Sequence, residues 1–146
     1  MHVVHENTNS NDKQNLHMVI GYIFKAEGNT DNEFLKSIGF NTGETVSNVK
    51  VQSIVKKESV YYYKGGLTTP DCTEDVNWVV VQDIKTMSTS QLTKFKQYIK
   101  SLNSAYENGN NRSVQKLYDR KVYKVQNGND LKIHTILISL FIVILI

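Results

Sequence analysis

Residues 61–78 read YYYKGGLTTPDCTEDVNW, and this stretch decides how the chain is to be understood. The pair Gly65 and Gly66 frees the backbone to turn tightly. Leu67 follows, then two adjacent hydroxyls, Thr68 and Thr69, and then Pro70, which fixes the path onward. The run Val76, Asn77, Trp78, Val79, Val80 reads as a strand. Two ordered hydroxyls on a stiff loop entering a strand suit the positioning of a small polar ligand. Thr-Thr-Pro is also ordinary loop chemistry, and the residues alone leave both readings open.

Working outward, residues 60–63 form a short strand into the loop and 76–82 a strand out of it. Residues 2–6 make a first strand, followed by an Asn-rich polar loop at 7–14. The longest strand candidate is 16–26. It places Leu16, Met18, Ile20, Tyr22 and Phe24 on one face and His17, Val19, Gly21, Ile23 and Lys25 on the other. Asp31 is placed to cap a short helix carrying Phe34, Leu35 and Ile38. Ser88 and Gln91 have capping-box spacing, and Leu92, Phe95, Ile99 and Leu102 then recur at helical intervals. Residues 121–126 alternate as a closing strand. Strands outnumber helices and the helices are short, so a mainly β, α+β fold is expected.

The chain has 146 residues, enough for one domain. Its 40% hydrophobic content permits an ordinary core, and a net charge of +3 argues against a nucleic-acid partner. The basic residues are spread along the chain, with no run longer than the pair Lys56 and Lys57. Cys72 stands alone, and by itself a lone cysteine reads as a small buried hydrophobe. Residues 133–146 are apolar apart from His134, Thr135 and Ser139, and no basic residue follows them. A spanning helix needs about 20 apolar residues. The tail therefore reads as a lipid-anchor signal, with Asn127, Gly128 and Asn129 at the cleavage region and a short spacer, or as a shortened single-pass anchor. A final core strand is disfavoured by the lack of alternation. The expected division is a domain over 1–126, a linker over 127–132 and a hydrophobic tail over 133–146. No signal peptide is visible.

From Tyr63 to Trp78 the stretch resembles the signature of the α-class carbonic anhydrases, Tyr-x-Gly-Ser-Leu-Thr-Thr-Pro-Pro-Cys-x-Glu-x-Val-x-Trp. Gly66 replaces the Ser and Asp71 the second Pro. Residues 1–8, MHVVHENT, resemble that family's Leu-His-Leu-Val-His-Trp-Asn-Thr strand, and 19–25, VIGYIFK, its Val-Leu-Gly-Ile-Phe-Leu-Lys strand. Residues 88–95, STSQLTKF, resemble its Ser-Ser-Glu-Gln-x-x-Lys-Phe helix, and 110–120, NNRSVQKLYDR, its Asn-x-Arg-Pro-x-Gln-x-Leu-x-x-Arg segment. These landmarks fall in the family's order and cover the chain to about residue 125. The resemblance implies part of a large twisted, mostly antiparallel sheet with short peripheral helices.

It also implies a site. His2 matches the third zinc ligand, and Zn2+ is the expected cofactor, since zinc can bring bound water to a pKa of about 7. The family's other two ligands lie on an earlier strand as His-x-His, a pair this chain lacks; its histidines are His2, His5, His17 and His134. The chain thus resembles the C-terminal half of the family domain, with Met1 expected to be an internal methionine. Thr68 matches the gatekeeper, whose hydroxyl takes the hydroxide proton and donates its own to a buried Glu. Thr69 would line the polar side of the pocket and bond bicarbonate. Val4, Val19, Leu67 and Trp78 match the apolar wall on which CO2 rests. His5, on the face opposite His2, is read as structural, and His17 is given no catalytic part. Cys72 matches half of a disulfide whose partner would lie upstream, which implies an oxidising compartment. The sequon at Asn111, Arg112 and Ser113 could carry a glycan.

These resemblances imply a zinc carbonic anhydrase interconverting CO2 and bicarbonate at the extracellular face of the plasma membrane, attached through its tail. This chain alone is expected to be inactive and marginally folded. The alternative is a related binding or adhesion module that has lost the chemistry.

Overall fold

The computed structural model describes residues 1–6, 17–40, 46, 49, 54, 58–102, 111–126 and 141–143. Among them are eight strands: β1 (His2–Glu6), β2 (His17–Gly21), β3 (Phe24–Ala26), β4 (Val60–Gly65), β5 (Val76–Val81), β6 (Lys85–Met87), β7 (Tyr123–Val125) and β8 (Phe141–Val143). The helices are α1 (Glu33–Ser37) and α2 (Thr89–Leu102). The chain divides into two compact units, each discontinuous in sequence.

The first unit draws on Met1–Ile23, Lys57–Asp83 and Asn111–Leu145. Its sheet runs β7-β4-β5-β2-β1-β8, and every pairing is antiparallel except the parallel β2–β5 pair near the centre. Because side chains alternate across a strand, the registers fix two faces. One carries Val3, Ile20, Val60, Val79 and Val81, all buried. The other carries Val19, Val76 and Trp78, also buried, with Val4, Tyr63, Leu67 and Val80 packed against them. Burial on both faces explains why 76–81 is nearly continuous in valine, as parallel pairing requires.

The second unit draws on Phe24–Lys56 and Ile84–Asn110. Here β3 pairs in parallel with β6. The expected capping box forms: Gln91 N–H donates to Ser88 Oγ at 2.9 Å, and Ser88 N–H donates to Gln91 Oε1 at 3.2 Å. Gln91 is fully buried and also bonds Asn32, accepting from its N–H at 2.8 Å and donating Nε2–H to its carbonyl at 3.1 Å. One glutamine therefore ties the start of α1 to the start of α2. Phe95, on the apolar stripe of α2, stacks on Phe40 at 4.5 Å.

Three local expectations change. The single strand over 16–26 is two strands in different sheets: Tyr22 still exchanges backbone bonds with Met1, at 2.9 Å each way, and the second strand begins only at Phe24. The N-cap of α1 is Asn32, which accepts from Leu35 N–H, while Asp31 accepts from Ser88 Oγ at 2.5 Å. Within the tail, Phe141–Val143 lies antiparallel to β1 with Ile142 opposite Val3, using backbone groups that an edge strand would leave open. No helix among the described residues is long and apolar enough to cross a membrane.

Candidate active site

The Val4 and Trp78 face of the first unit's sheet carries the site, and strand register assembles it. Val4 lies opposite Val19, Val19 opposite Trp78, and Trp78 opposite Tyr63, a row across β1, β2, β5 and β4. One step along, His2 lies opposite Gly21, and Gly21 opposite Val80. A Cβ on Gly21 would meet Val80 at 3.5 Å, Trp78 at 3.7 Å and the His2 ring at 3.9 Å, all ordinary contacts, so imidazole and indole meet directly above this glycine's strand position. Their ring centres are 4.7 Å apart at 77°, an edge-to-face contact. Tyr63 stacks on the other side of the indole at 6.3 Å and 8°.

Beside these rings lies a cavity of about 420 Å³, lined in part by His2, Tyr63, Thr68, Trp78, Arg112 and Arg120. The loop that presents Thr68 is held by backbone bonds from Leu67 N–H to Thr73 O at 2.8 Å and from Cys72 N–H to Thr69 O at 2.7 Å. Side chains reinforce it, with Trp78 Nε1–H donating to Gly66 O at 3.0 Å and Arg112 Nη1–H to Leu67 O at 3.0 Å. Arg120 faces Glu74 at 3.9 Å and donates to the carbonyls of Leu117 and Lys116.

Burial holds His2 neutral. Its pKa falls to about 4, chiefly from desolvation and secondly from the positive amino terminus. A neutral imidazole keeps a lone pair for a metal or a proton. Burial raises the Tyr63 hydroxyl above its ordinary value, and the Arg120 charge partly offsets this. The Thr68 hydroxyl makes no hydrogen bond among the described residues, so it is available to a small ligand.

Of the residues singled out in the sequence, His2, Thr68 and Trp78 line the cavity. Val4, Val19 and Leu67 join Trp78 in the adjoining apolar cluster. Thr69 is exposed and does not line the cavity. Cys72 is half-buried with a free thiol, and Asn111 is exposed. His5 points to the other face, where its Nε2 is buried without a partner among the described residues. Tyr63, Gly21, Arg112 and Arg120 went unremarked as site residues. Both arginines stand in the 110–120 landmark, but no local pattern announces that they reach the Thr68 loop across some 45 positions of chain.

A catalytic zinc needs three protein donors. Among the described residues, no three His, Cys, Asp or Glu side chains lie close enough to hold a metal, and His2 is the imidazole in the cavity. The donor set present here does not fit a three-ligand zinc.

A family model for eukaryotic-type carbonic anhydrase matches residues 1–126. Mouse carbonic anhydrase 6 is 30% identical over 131 residues, covering 78% of this chain and 41% of that protein. Human receptor-type tyrosine-protein phosphatase zeta is 32% identical over 79 residues, 50% of this chain and 3% of the receptor. Among solved structures, a halotolerant carbonic anhydrase from Dunaliella salina superimposes with a TM-score of 0.67 at 31% identity, covering 85% of this chain and 51% of that one. The chain spans about half, or less, of the length of the carbonic anhydrases it matches.

Proposed function

Because this chain belongs to the eukaryotic-type carbonic anhydrase family, we propose that it carries the carboxyl-terminal share of a CO2-hydrating site and does not hydrate CO2 by itself. The observation that carries this reading is the meeting of His2, Thr68 and Trp78 in one cavity beside the Val4, Val19 and Leu67 cluster. Each has a task in CO2 hydration. CO2 has no strong hydrogen-bonding need and rests against apolar side chains. The Thr68 hydroxyl would orient the attacking oxygen. His2 would offer one neutral nitrogen to a zinc ion, and the two further donors that catalysis requires are not among the described residues. Stopped-flow CO2 hydration with the purified chain, with and without added zinc, tests the reading directly. The uncatalysed rate is expected in both cases, and a faster rate abolished by acetazolamide would overturn it.

The kinship with a receptor phosphatase favours a second reading, a surface-recognition module that keeps the fold without the chemistry. Tight zinc binding by the chain would count against that reading. In either case we assign the protein to the extracellular face of the plasma membrane. Tail attachment, a Cys72 disulfide and an Asn111 glycan all belong to that compartment. Detergent phase separation before and after phospholipase C treatment, on protein from secretory cells, checks the anchor. Partition into the aqueous phase throughout would remove it.

A further inference from the structure

We propose that the cavity beside Trp78 binds a small organic anion, a carboxylate on a compact apolar body, with no metal between ligand and protein. This binding depends on the cavity wall alone and is independent of CO2 hydration.

The polar groups on that wall are donors that lack an acceptor. His2, Tyr63 and Thr68 all line the cavity, and among the described residues neither the imidazole nor either hydroxyl has a hydrogen-bond partner. All three side chains are half-buried. Arg112 spends one N–H on Leu67 O at 3.0 Å, and its other N–H groups have no partner among the described residues. The neutral imidazole still carries one N–H, and burial keeps the Tyr63 hydroxyl protonated. The charged side chains on the wall, Arg112 and Arg120, are both cations. Glu74 faces Arg120 at 3.9 Å, but its side chain is 61% exposed, so solvent weakens that pair. Arg112 has no ion pair among the described residues. Donors and a cation that converge on one space select an anionic acceptor, and a carboxylate brings two oxygens with about four lone-pair sites.

The rest of the wall sets the remainder of the ligand. At about 420 Å³ the cavity has the size of a small-molecule site, and bicarbonate or acetate would leave most of it to water. Ile23, Val114 and Leu117 line it at 50%, 100% and 55% exposure, although Val19, Val76 and Val79 of the same unit are buried. An apolar body resting against them and the Trp78 indole would take that surface out of water. Water alone would serve the donors and leave those three side chains solvated, which is why an anion with an apolar body is the better fit.

The probe is benzoate, titrated into the full chain after dialysis against EDTA. Trp78 is the only tryptophan in the chain, so its indole N–H gives one resonance in a proton–nitrogen spectrum and reports on the cavity. A saturable shift is expected with benzoate. Benzamide, with the same shape and no charge, is expected to bind more weakly by about tenfold or more, because charge-assisted hydrogen bonds are roughly twice as strong as neutral ones. Acetate and bicarbonate, which lack the apolar body, should also bind about tenfold more weakly. Tyr63→Phe keeps the ring stacked on Trp78 and removes only an unpartnered hydroxyl, so it leaves the fold intact and should weaken benzoate by about tenfold. Leu117→Ser, at an exposed position, should weaken benzoate by about fivefold and leave acetate unchanged. Absence of a saturable shift, benzamide binding as tightly as benzoate, or both variants behaving as the parent overturns the proposal. So does a shift that requires added zinc, which would give the ligand to the metal, or bicarbonate binding as tight as benzoate, which would return the cavity to the inorganic ion. Stopped-flow hydration is read separately, so failure of this binding and failure of the hydration reading are distinguishable.

Discussion

Gly65→Ala places one methyl group against the rings that build the site, and its cost follows from the geometry. The backbone at Gly65 is not in the left-handed region, so alanine meets no conformational strain there. An unfolded chain with alanine has less freedom to lose, a gain of about 0.5–1 kcal/mol. Against that, the new Cβ would sit 3.1 Å from Trp78 Cδ1 and 3.1 Å from Tyr63 Cε2. Carbon pairs prefer about 3.5–4.0 Å, so one ring must yield by several tenths of an ångström. The indole cannot slide freely, because Nε1–H is bonded to Gly66 O and its edge meets His2. Overpacking of this kind costs about 1–3 kcal/mol, and the net is a destabilisation of roughly 0.5–2 kcal/mol. Trp78 is the only tryptophan in the chain, so urea unfolding followed by its fluorescence reads the perturbed ring itself. With a slope of about 1–3 kcal/mol per molar, the midpoint should fall by about 0.2–2 M, with a shifted native emission. Gly66→Ala is the control. Its Cβ would approach Glu74 Oε1 at 2.8 Å, the end of an exposed side chain that can swing aside, and Arg112 Nη1 at 3.1 Å, which needs to give by only a few tenths of an ångström. A midpoint for Gly65→Ala equal to or above the parent, or below it by no more than Gly66→Ala, would refute the claim that the ring stack sets the tolerance here.

Gln91→Ala removes the partner of Asn32 N–H, Ser88 N–H and the Asn32 carbonyl together, and should cost about 2–4 kcal/mol. Hydrogen exchange should show its effect first in the amides at the start of α2. Trp78→Phe keeps an aromatic ring beside His2 but leaves Gly66 O without its donor, for a loss of about 1–3 kcal/mol by thermal melting. Acid should unfold the chain early. His2 is depressed to about 4 and His5 is also depressed, both by burial, so the folded state binds fewer protons than the unfolded one below the ordinary histidine value. Their contribution is full above about pH 6.5 and falls as pH drops toward 4. Both rings are partly exposed, so each should contribute less than the full ~1.4 kcal/mol per pH unit. Urea midpoints at pH 7.5 and 5 should differ, and His2→Gln should shrink the difference.

What could be read from the sequence was whatever local spacing encodes. Alternation placed β1, β4 and β5 within a residue or two, and the Ser88–Gln91 spacing gave the cap of α2 because both bonds form inside one turn. His2, Val4 and the loop threonines were singled out because the short runs that hold them resemble those of the family. The parallel pairing of β2 with β5 was not legible, since nothing in either strand names its neighbour. The cap of α1 shifted by one residue because Asp31, well placed by spacing, is engaged by Ser88 from 57 positions away. Arg112 and Arg120 escaped for the same reason, their partners being carbonyls and a carboxylate that only the fold brings near. Three residues of a tail without alternation took a place beside β1, where an open edge outweighed pattern.

The discontinuity of the first unit bears on how the protein is made. Its sheet takes strands from three separated stretches of chain, and β4 stays uncovered on one side until Tyr123–Val125 exists to pair with it. During synthesis β1 and β2 emerge well before β5, and the row that joins Val19 to Trp78 cannot close before residue 78. Contacts at such separation are slow to form. While this stretch is being translated its apolar strands await partners, and its yield in a cell should respond to chaperone supply more than to any single contact in the finished fold.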